Sequence, residues 1–226
     1  MANWEGSRWS GRIWRRKIVG IFKKDQIEYD DELNIAHEIV KMILYIGAIV
    51  LLVFLFLTFV GRRSEVLGHS MEDTLHDGES IWLDKISYHF RDPRRYEIIV
   101  FPYVDGNSYY VKRIIGLPGE TIYIDSDGTI YIGTEETIYA DDEGNVHNEA
   151  EALNEPYGYD VIQEEMRGIA ALPVTLGENE YFVMGDNRNN SQDSRSEELG
   201  PISRDIIEGH AVLRLWPLKK FGKIDE

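Results

Sequence analysis

Cysteine is absent from all 226 residues. That excludes disulfides, thiolate metal sites, iron–sulfur clusters and a cysteine nucleophile, so any covalent catalysis must use another side chain. Basic residues are scarce, 24 Lys and Arg against 40 Asp and Glu, for a net charge of −16. So acidic a chain grips phosphate backbones poorly, and nucleic acid is not an expected partner. Internal repeats, a Gly-rich phosphate loop and paired-histidine spacing are also missing, the histidines being His37, His69, His76, His89, His147 and His210. No metal and no cofactor is therefore expected. Apolar residues are plentiful: 43% of the chain is hydrophobic and 12% aromatic, enough to bury a core.

Those residues are unevenly spread. Residues 42–60 read MILYIGAIVLLVFLFLTFV, 19 positions without a charge. A helix of that length, at about 1.5 Å per residue, matches a hydrocarbon core. The run is apolar all round, whereas a core helix would keep a polar face. Arg8, Arg12, Arg15, Arg16, Lys17, Lys23, Lys24 and Lys41 precede it, and only Arg62 and Arg63 closely follow it. The basic tail, residues 1–41, is therefore expected to stay in the cytoplasm, with residues 61–226 outside the cell membrane on a single-pass anchor. Gly61-Arg62-Arg63 offers no small-residue cleavage pattern, so the span reads as permanent. Residues 61–226 keep 16 Lys and Arg against 33 Asp and Glu, a soluble and acidic exported part.

The exported part reads as mainly β. Short runs rich in β-branched and aromatic residues recur at residues 80–86, 97–104, 109–115, 121–125, 129–132, 180–184 and 210–216. Asp105-Gly106-Asn107 predicts a hairpin joining the second and third runs, and Asp127-Gly128 one joining the fourth and fifth. No long amphipathic helical pattern follows the anchor, which favours an all-β barrel-like domain over an α/β hydrolase. Residues 134–170 carry eleven acidic residues against a single Arg167 and read as a solvated acidic insertion, because like charges at that density cannot be buried unpaired. Asp125-Ser126-Asp127-Gly128 has the flavour of a calcium loop, but its glycine comes too early for that spacing and a turn explains it better.

Three polar segments could carry chemistry. Residues 68–75, GHSMEDTL, set Ser70 beside Met71 close to the membrane; alone they read as a polar turn. In residues 109–120, YYVKRIIGLPGE, strand alternation puts Tyr110, Lys112 and Ile114 on one face and Arg113 on the other, as a structural ion-pair partner. A lysine with its ordinary pKa near 10.4 is a base at neutral pH only if burial destabilises the ammonium, and Tyr110 and Ile114 could supply that burial. A packed stem with its head in water is the commoner role of an isolated lysine. Residues 185–195, GDNRNNSQDSR, hold more polar groups than a turn needs and could order themselves through an Asp193–Arg195 pair. Asn189-Asn190-Ser191 also matches a glycosylation acceptor, a pattern common by chance. Trp82 and Trp216 read as core residues, with lipid contact the alternative.

Taken jointly, SM-x-x-TL, YVKR-IIG-PGE and GDNR-NS-DSR, with EIIVF between the first two and an anchor ahead of them, resemble the bacterial type I signal peptidases of the Ser–Lys kind. The resemblance covers most of residues 61–220, and the single anchor with a small exported domain is similar to the Gram-positive form. It implies a serine endopeptidase that cleaves signal peptides from secreted preproteins after small residues. Ser70 would be the nucleophile and Lys112 the general base. Ser191 would hydrogen-bond the Lys112 amine, Asp193 and Arg195 would hold that loop, and Asp186 and Arg188 would be structural. The Ser70 N–H would form part of an oxyanion hole, while Gly68 stands where some relatives place a hydroxyl donor. Asp73 replaces the proline usual in the family. Partners implied are signal-peptide-bearing preproteins and membrane lipid, with the secretion machinery a further candidate. Two other readings stand beside this one. One is a self-cleaving Ser–Lys repressor, disfavoured by the membrane span. The other is a catalytically silent peptidase-like membrane domain serving as an assembly or pilin chaperone.

Overall fold

The computed structural model describes residue 35 and residues 37–56, 60–72, 74–102, 108–158 and 160–224. The basic tail up to residue 34, the Asp105-Gly106-Asn107 turn and Asp73 lie outside the described residues. The chain forms two compact units, residues 1–55 and 56–226.

Helix α1 (His37–Phe56), all but its last residue in the first unit, has 20 residues and the length and composition to cross a membrane. Its side chains are exposed, as an all-round apolar helix outside a protein core must be.

The second unit is mainly β. In chain order its strands are β1 (Gly61–Glu65), β2 (Ser80–Asp84), β3 (Ile98–Pro102), β4 (Tyr109–Gly116), β5 (Thr121–Ile124), β6 (Ile130–Gly133) and β7 (Ile138–Ala140). There follow β8 (Val146–Asn148), β9 (Val174–Thr175), β10 (Glu180–Met184), β11 (Ile202–Ser203), β12 (Gly209–Trp216) and β13 (Gly222–Lys223). The main sheet runs β1-β2-β12-β3-β4-β10-β11, with β13 added to β12; β6-β5-β9 make a second sheet and β7-β8 a hairpin. Both hairpins expected from turn residues are present as antiparallel pairs, β3 with β4 and β5 with β6.

The continuous apolar runs have a structural cause. Ile98 and Val100 of β3 join one core cluster, with Met71, Leu75, Ile81 and Leu83, while Ile99 and Phe101 join another with Ile114 and Val183. In β10, Tyr181 and Val183 face that second cluster and Phe182 and Met184 a third, with Ile122, Ile124 and Leu176. Central strands covered on both faces cannot alternate apolar with polar. A polar side chain in the stretches covered on both faces is buried, and β4 carries Lys112 there.

Sheet pairing also leaves an opening. β4 pairs with β3 from Tyr109 to Arg113, but with β10 only at Arg113, Ile114 and Gly116. Among the described residues, β1 pairs only with β2. Thus β1 and the first half of β4 each present an unpaired backbone edge.

Two expectations need correction. Trp216 is not in the core but 53% exposed: it ends β12, whose burial falls from Gly209, His210 and Ala211 towards this last residue. The acidic insertion is not wholly solvated: Glu135, Glu136, Asp142, Glu143, Glu164 and Glu165 are exposed, but Tyr157, Ile162 and Ala170 are buried. Its apolar residues supply the interior contacts that a reading dominated by charge overlooks.

Candidate active site

Residues 66–79 connect β1 to β2 and carry Ser70. The loop is pinned by its apolar residues: Met71 and Leu75, one helical turn apart, are 1% and 0% exposed, and the Thr74 and Leu75 N–H groups both donate to the Met71 carbonyl at 2.8 Å. Burying the two side chains contributes roughly 1.5–3 kcal/mol each, so the spacing within SMEDTL anchors the serine. Polar contacts hold the same loop from two directions. Thr74 Oγ1 donates to Asp186 Oδ2 at 2.5 Å, and Arg214 donates to the Thr74 carbonyl at 2.5 Å while pairing with buried Glu79 at 2.8 Å. Asn187 donates its backbone N–H to the Ser70 carbonyl at 3.1 Å and its side-chain amide to the His69 carbonyl at 3.0 Å.

Lys112 meets this loop from β4. Its Nζ donates to Ser70 Oγ at 2.7 Å and to the Val111 carbonyl at 3.0 Å, although the serine and the lysine are 42 positions apart in sequence. The amine lies 5.0 Å from the centre of the Tyr110 ring, and the residue is 2% exposed. Burial drives its pKa down from 10.5 to about 8; Asp193 and Asp186 oppose that by favouring the ammonium, and Arg195 adds to it. At about 8, roughly a tenth of the amine is neutral at pH 7, against about one part in three thousand for a solvated lysine.

The segment from Gly185 to Arg195 supports the pair. Arg195 grips Asp193 with two N–H groups at 2.8 Å, and the Gly185 N–H donates to the same carboxylate at 3.0 Å. Burial alone would raise the Asp193 pKa, but Arg195 and the Gly185 N–H outweigh it and hold the carboxyl below its ordinary value. Arg113, expected as a structural ion-pair partner, is wholly buried and bidentate to Asp186 at 2.7 and 2.8 Å.

Ser191 differs from what the resemblance implies. Ser191 Oγ is buried without a well-formed hydrogen bond, so it does not hydrogen-bond the Lys112 amine. Its position follows from Gly185, where a Cβ would lie 2.3 Å from both Ser191 Oγ and the Ser70 carbonyl oxygen. Gly68 has φ +88 and its N–H donates to Asp77 Oδ1 at 2.7 Å, so that amide is engaged within its own turn. Gly185, Asn187, Thr74, Glu79 and Arg214 escaped the sequence reading. For Gly185 the signal was its place at the head of the polar loop; Arg214, inside an apolar strand, gave a sign comparable to that of Lys112.

A cleft of about 600 Å³ opens over Ser70 and Lys112, lined by Ser64 to Met71 on one wall and Ser108 to Lys112 on the other, with Asn190 and Gln192 beside them. Its walls are the unpaired edges of β1 and β4. A serine hydroxyl bonded to a buried, partly deprotonated amine on the floor of such a cleft has the parts of a hydrolase that attacks an extended chain.

Comparison with known proteins agrees with that class. A family model described as signal peptidase, peptidase S26, matches residues 39–216, and the chain belongs to this family. Among its relatives are a probable signal peptidase I-2 of Synechocystis, 33% identical over 176 residues and covering 75% of this chain and 69% of the relative. The signal peptidase I of Bacillus licheniformis is 34% identical over 176 residues, 78% of this chain and 88% of the relative. A solved signal peptidase I from Enterococcus faecalis shares 31% identity over 53% of this chain and 97% of that one, with a TM-score of 0.38.

Proposed function

We propose that the chain is a membrane-bound serine endopeptidase that removes signal peptides from secreted preproteins, with Ser70 as nucleophile and Lys112 as general base. The observation that carries this reading is the 2.7 Å bond from the buried Lys112 amine to Ser70 Oγ at the floor of the cleft. Neutral Lys112 accepts the Ser70 proton as Oγ attacks the scissile carbonyl. The Lys112 ammonium then gives that proton to the departing amine as the C–N bond breaks, leaving the acyl group on Ser70. Water, deprotonated by Lys112, attacks the ester carbonyl, and Ser70 recovers its proton.

The Ser70 N–H donates to no group among the described residues and is therefore available to the oxyanion; Gly68 offers no hydroxyl, so water or a substrate-ordered amide supplies any second donor. The substrate lies extended between the open edges of β1 and β4, its backbone adding to the sheet and its alternate side chains entering the cleft, where the walls admit small ones. The basic tail, residues 1–41, stays in the cytoplasm. Residues 42–60 anchor the chain, and residues 61–226, with the insertion at 134–170, work on the far side of the membrane.

The test is incubation of the detergent-solubilised chain with a bacterial preprotein, unmutated and as Ser70→Ala and Lys112→Ala, reading the product N-terminus by mass spectrometry. Cleavage after a small residue, abolished by both substitutions, is expected. A folded unmutated chain that binds preprotein without cutting it would overturn the proposal in favour of a non-catalytic role.

A further inference from the structure

Three residues of one short stretch of the acidic insertion, Glu155, Tyr157 and Gly158, lie against the two arginines behind the site. Glu155, with its side chain 11% exposed, takes both terminal guanidinium nitrogens of Arg188, one of them at 2.8 Å. Gly158 has φ +72, and a Cβ there would stand 2.4 Å from the Arg188 guanidinium carbon, so only glycine lets the backbone pass so close. The Tyr157 ring lies 3.4 Å from the Arg113 guanidinium carbon.

Each arginine carries this contact onward. Arg113 clamps Asp186. Arg188 Nε donates to the Gly185 carbonyl at 3.1 Å, and the Arg188 carbonyl accepts at 2.6 Å from Arg195, which holds Asp193. Asp186 and Asp193 are the two carboxylates whose fields reach the Lys112 amine; Arg195 opposes them, Arg113 adjoins Lys112 on β4, and Tyr110 and Ser70 complete its surroundings.

We infer that residues 155–158 form a positioning cradle that sets the reactivity of the Lys112 amine through the Arg113–Asp186 and Arg188–Arg195–Asp193 chains. This rests on the Ser70–Lys112 reading. Neutralising Glu155 leaves the Arg188 guanidinium without its counter-charge and loosens the register of Asp193. Both changes disfavour ammonium at Lys112, so more of the amine is neutral at low pH. The same loosening spoils the alignment of Ser70 with Lys112 and lowers the maximal rate.

The test uses the full chain in detergent and a fluorogenic peptide with small residues at its cleavage site, with kcat and KM followed from about pH 6 to pH 10. Glu155→Gln is expected to lower the plateau kcat about tenfold with KM within about twofold, and to move the acidic limb down by about half a pH unit. Glu155→Asp should recover part of both effects. Gly158→Ala displaces Arg188 without altering charge and should lower the plateau. Glu143→Gln, the same loss of charge on an exposed residue, should change neither.

A limb left in place would overturn the inference, whether the rate is unchanged or falls only in step with the folded fraction measured by circular dichroism. If the unmutated chain cuts but Ser70→Ala or Lys112→Ala also cuts, the dyad reading fails and takes this one with it. If those two are inactive while Glu155→Gln keeps its limb, the cradle alone is refuted.

Discussion

Acidification tests the burial of Lys112 directly. With a pKa near 8 set first by desolvation, the neutral fraction of the amine runs from about a hundredth at pH 6 to a tenth at pH 7, a half at pH 8 and nine-tenths at pH 9. The base must be neutral, so kcat/KM, which reports the free enzyme, rises about tenfold between pH 7 and pH 9 and falls with unit slope below pH 7. His69, next to the nucleophile in sequence, is exposed and bonded to Glu72 at 2.8 Å, which raises its pKa. A His69→Gln variant measured in parallel removes that second titration and should keep the limb. The assay is cleavage of a short signal-peptide substrate in detergent, with substrate well below KM. A flat profile from about pH 6 to pH 10, or a midpoint at the ordinary lysine value near 10.4, would refute the argument that burial makes this lysine a base.

Three further outcomes are expected. Because the folded pKa of Lys112 is below its unfolded value, the unfolded chain binds more protons between about pH 8 and pH 10.5, and the buried amine costs about 3 kcal/mol at pH 7. Lys112→Met should thus abolish cleavage yet raise resistance to denaturant at pH 7 by about 1–3 kcal/mol after loss of the bonds to Ser70 and Val111, with the gain fading by about pH 10.5; an equal gain at both pH values would contradict this. Gly185→Ala places a methyl 2.3 Å from the Ser70 carbonyl and should lower kcat about a hundredfold while the protein stays folded, checked by steady-state kinetics beside circular dichroism. Asp186→Asn leaves the wholly buried Arg113 without its counter-charge and should destabilise by about 3–5 kcal/mol in a denaturant titration, with an unchanged midpoint as the refuting result.

Part of this protein is legible residue by residue. The uncharged run in residues 42–60 could only be a lipid-facing helix or something equally apolar all round, since its sequence leaves no polar face, and α1 covers most of it. The β5–β6 hairpin follows from a two-residue turn signal and alternating neighbours, and β4 from its β-branched run. These are local properties, fixed by backbone preference and hydrophobic period over a few residues. The short strands β9, β11 and β13 were invisible because two residues carry no period, and they exist only where a longer strand offers them an edge.

The sequence alone, then, determined the long apolar helix, the β-rich class and, through a family likeness, the serine and lysine that stand together. Tertiary structure decided what the lysine is. The serine loop and β4, 42 positions apart at Ser70 and Lys112, meet only because Met71 and Leu75 are drawn into the same core as β2 and β3. The amine's affinity for its proton is set by atoms contributed from β4, the serine loop and residues 185–195. The acidic stretch that charge density marked as solvent-exposed supplies Glu155 and Tyr157 to the arginines behind them. Desolvation and charge pairing depend on distances through space, and a linear pattern holds no record of which distant residues close that space.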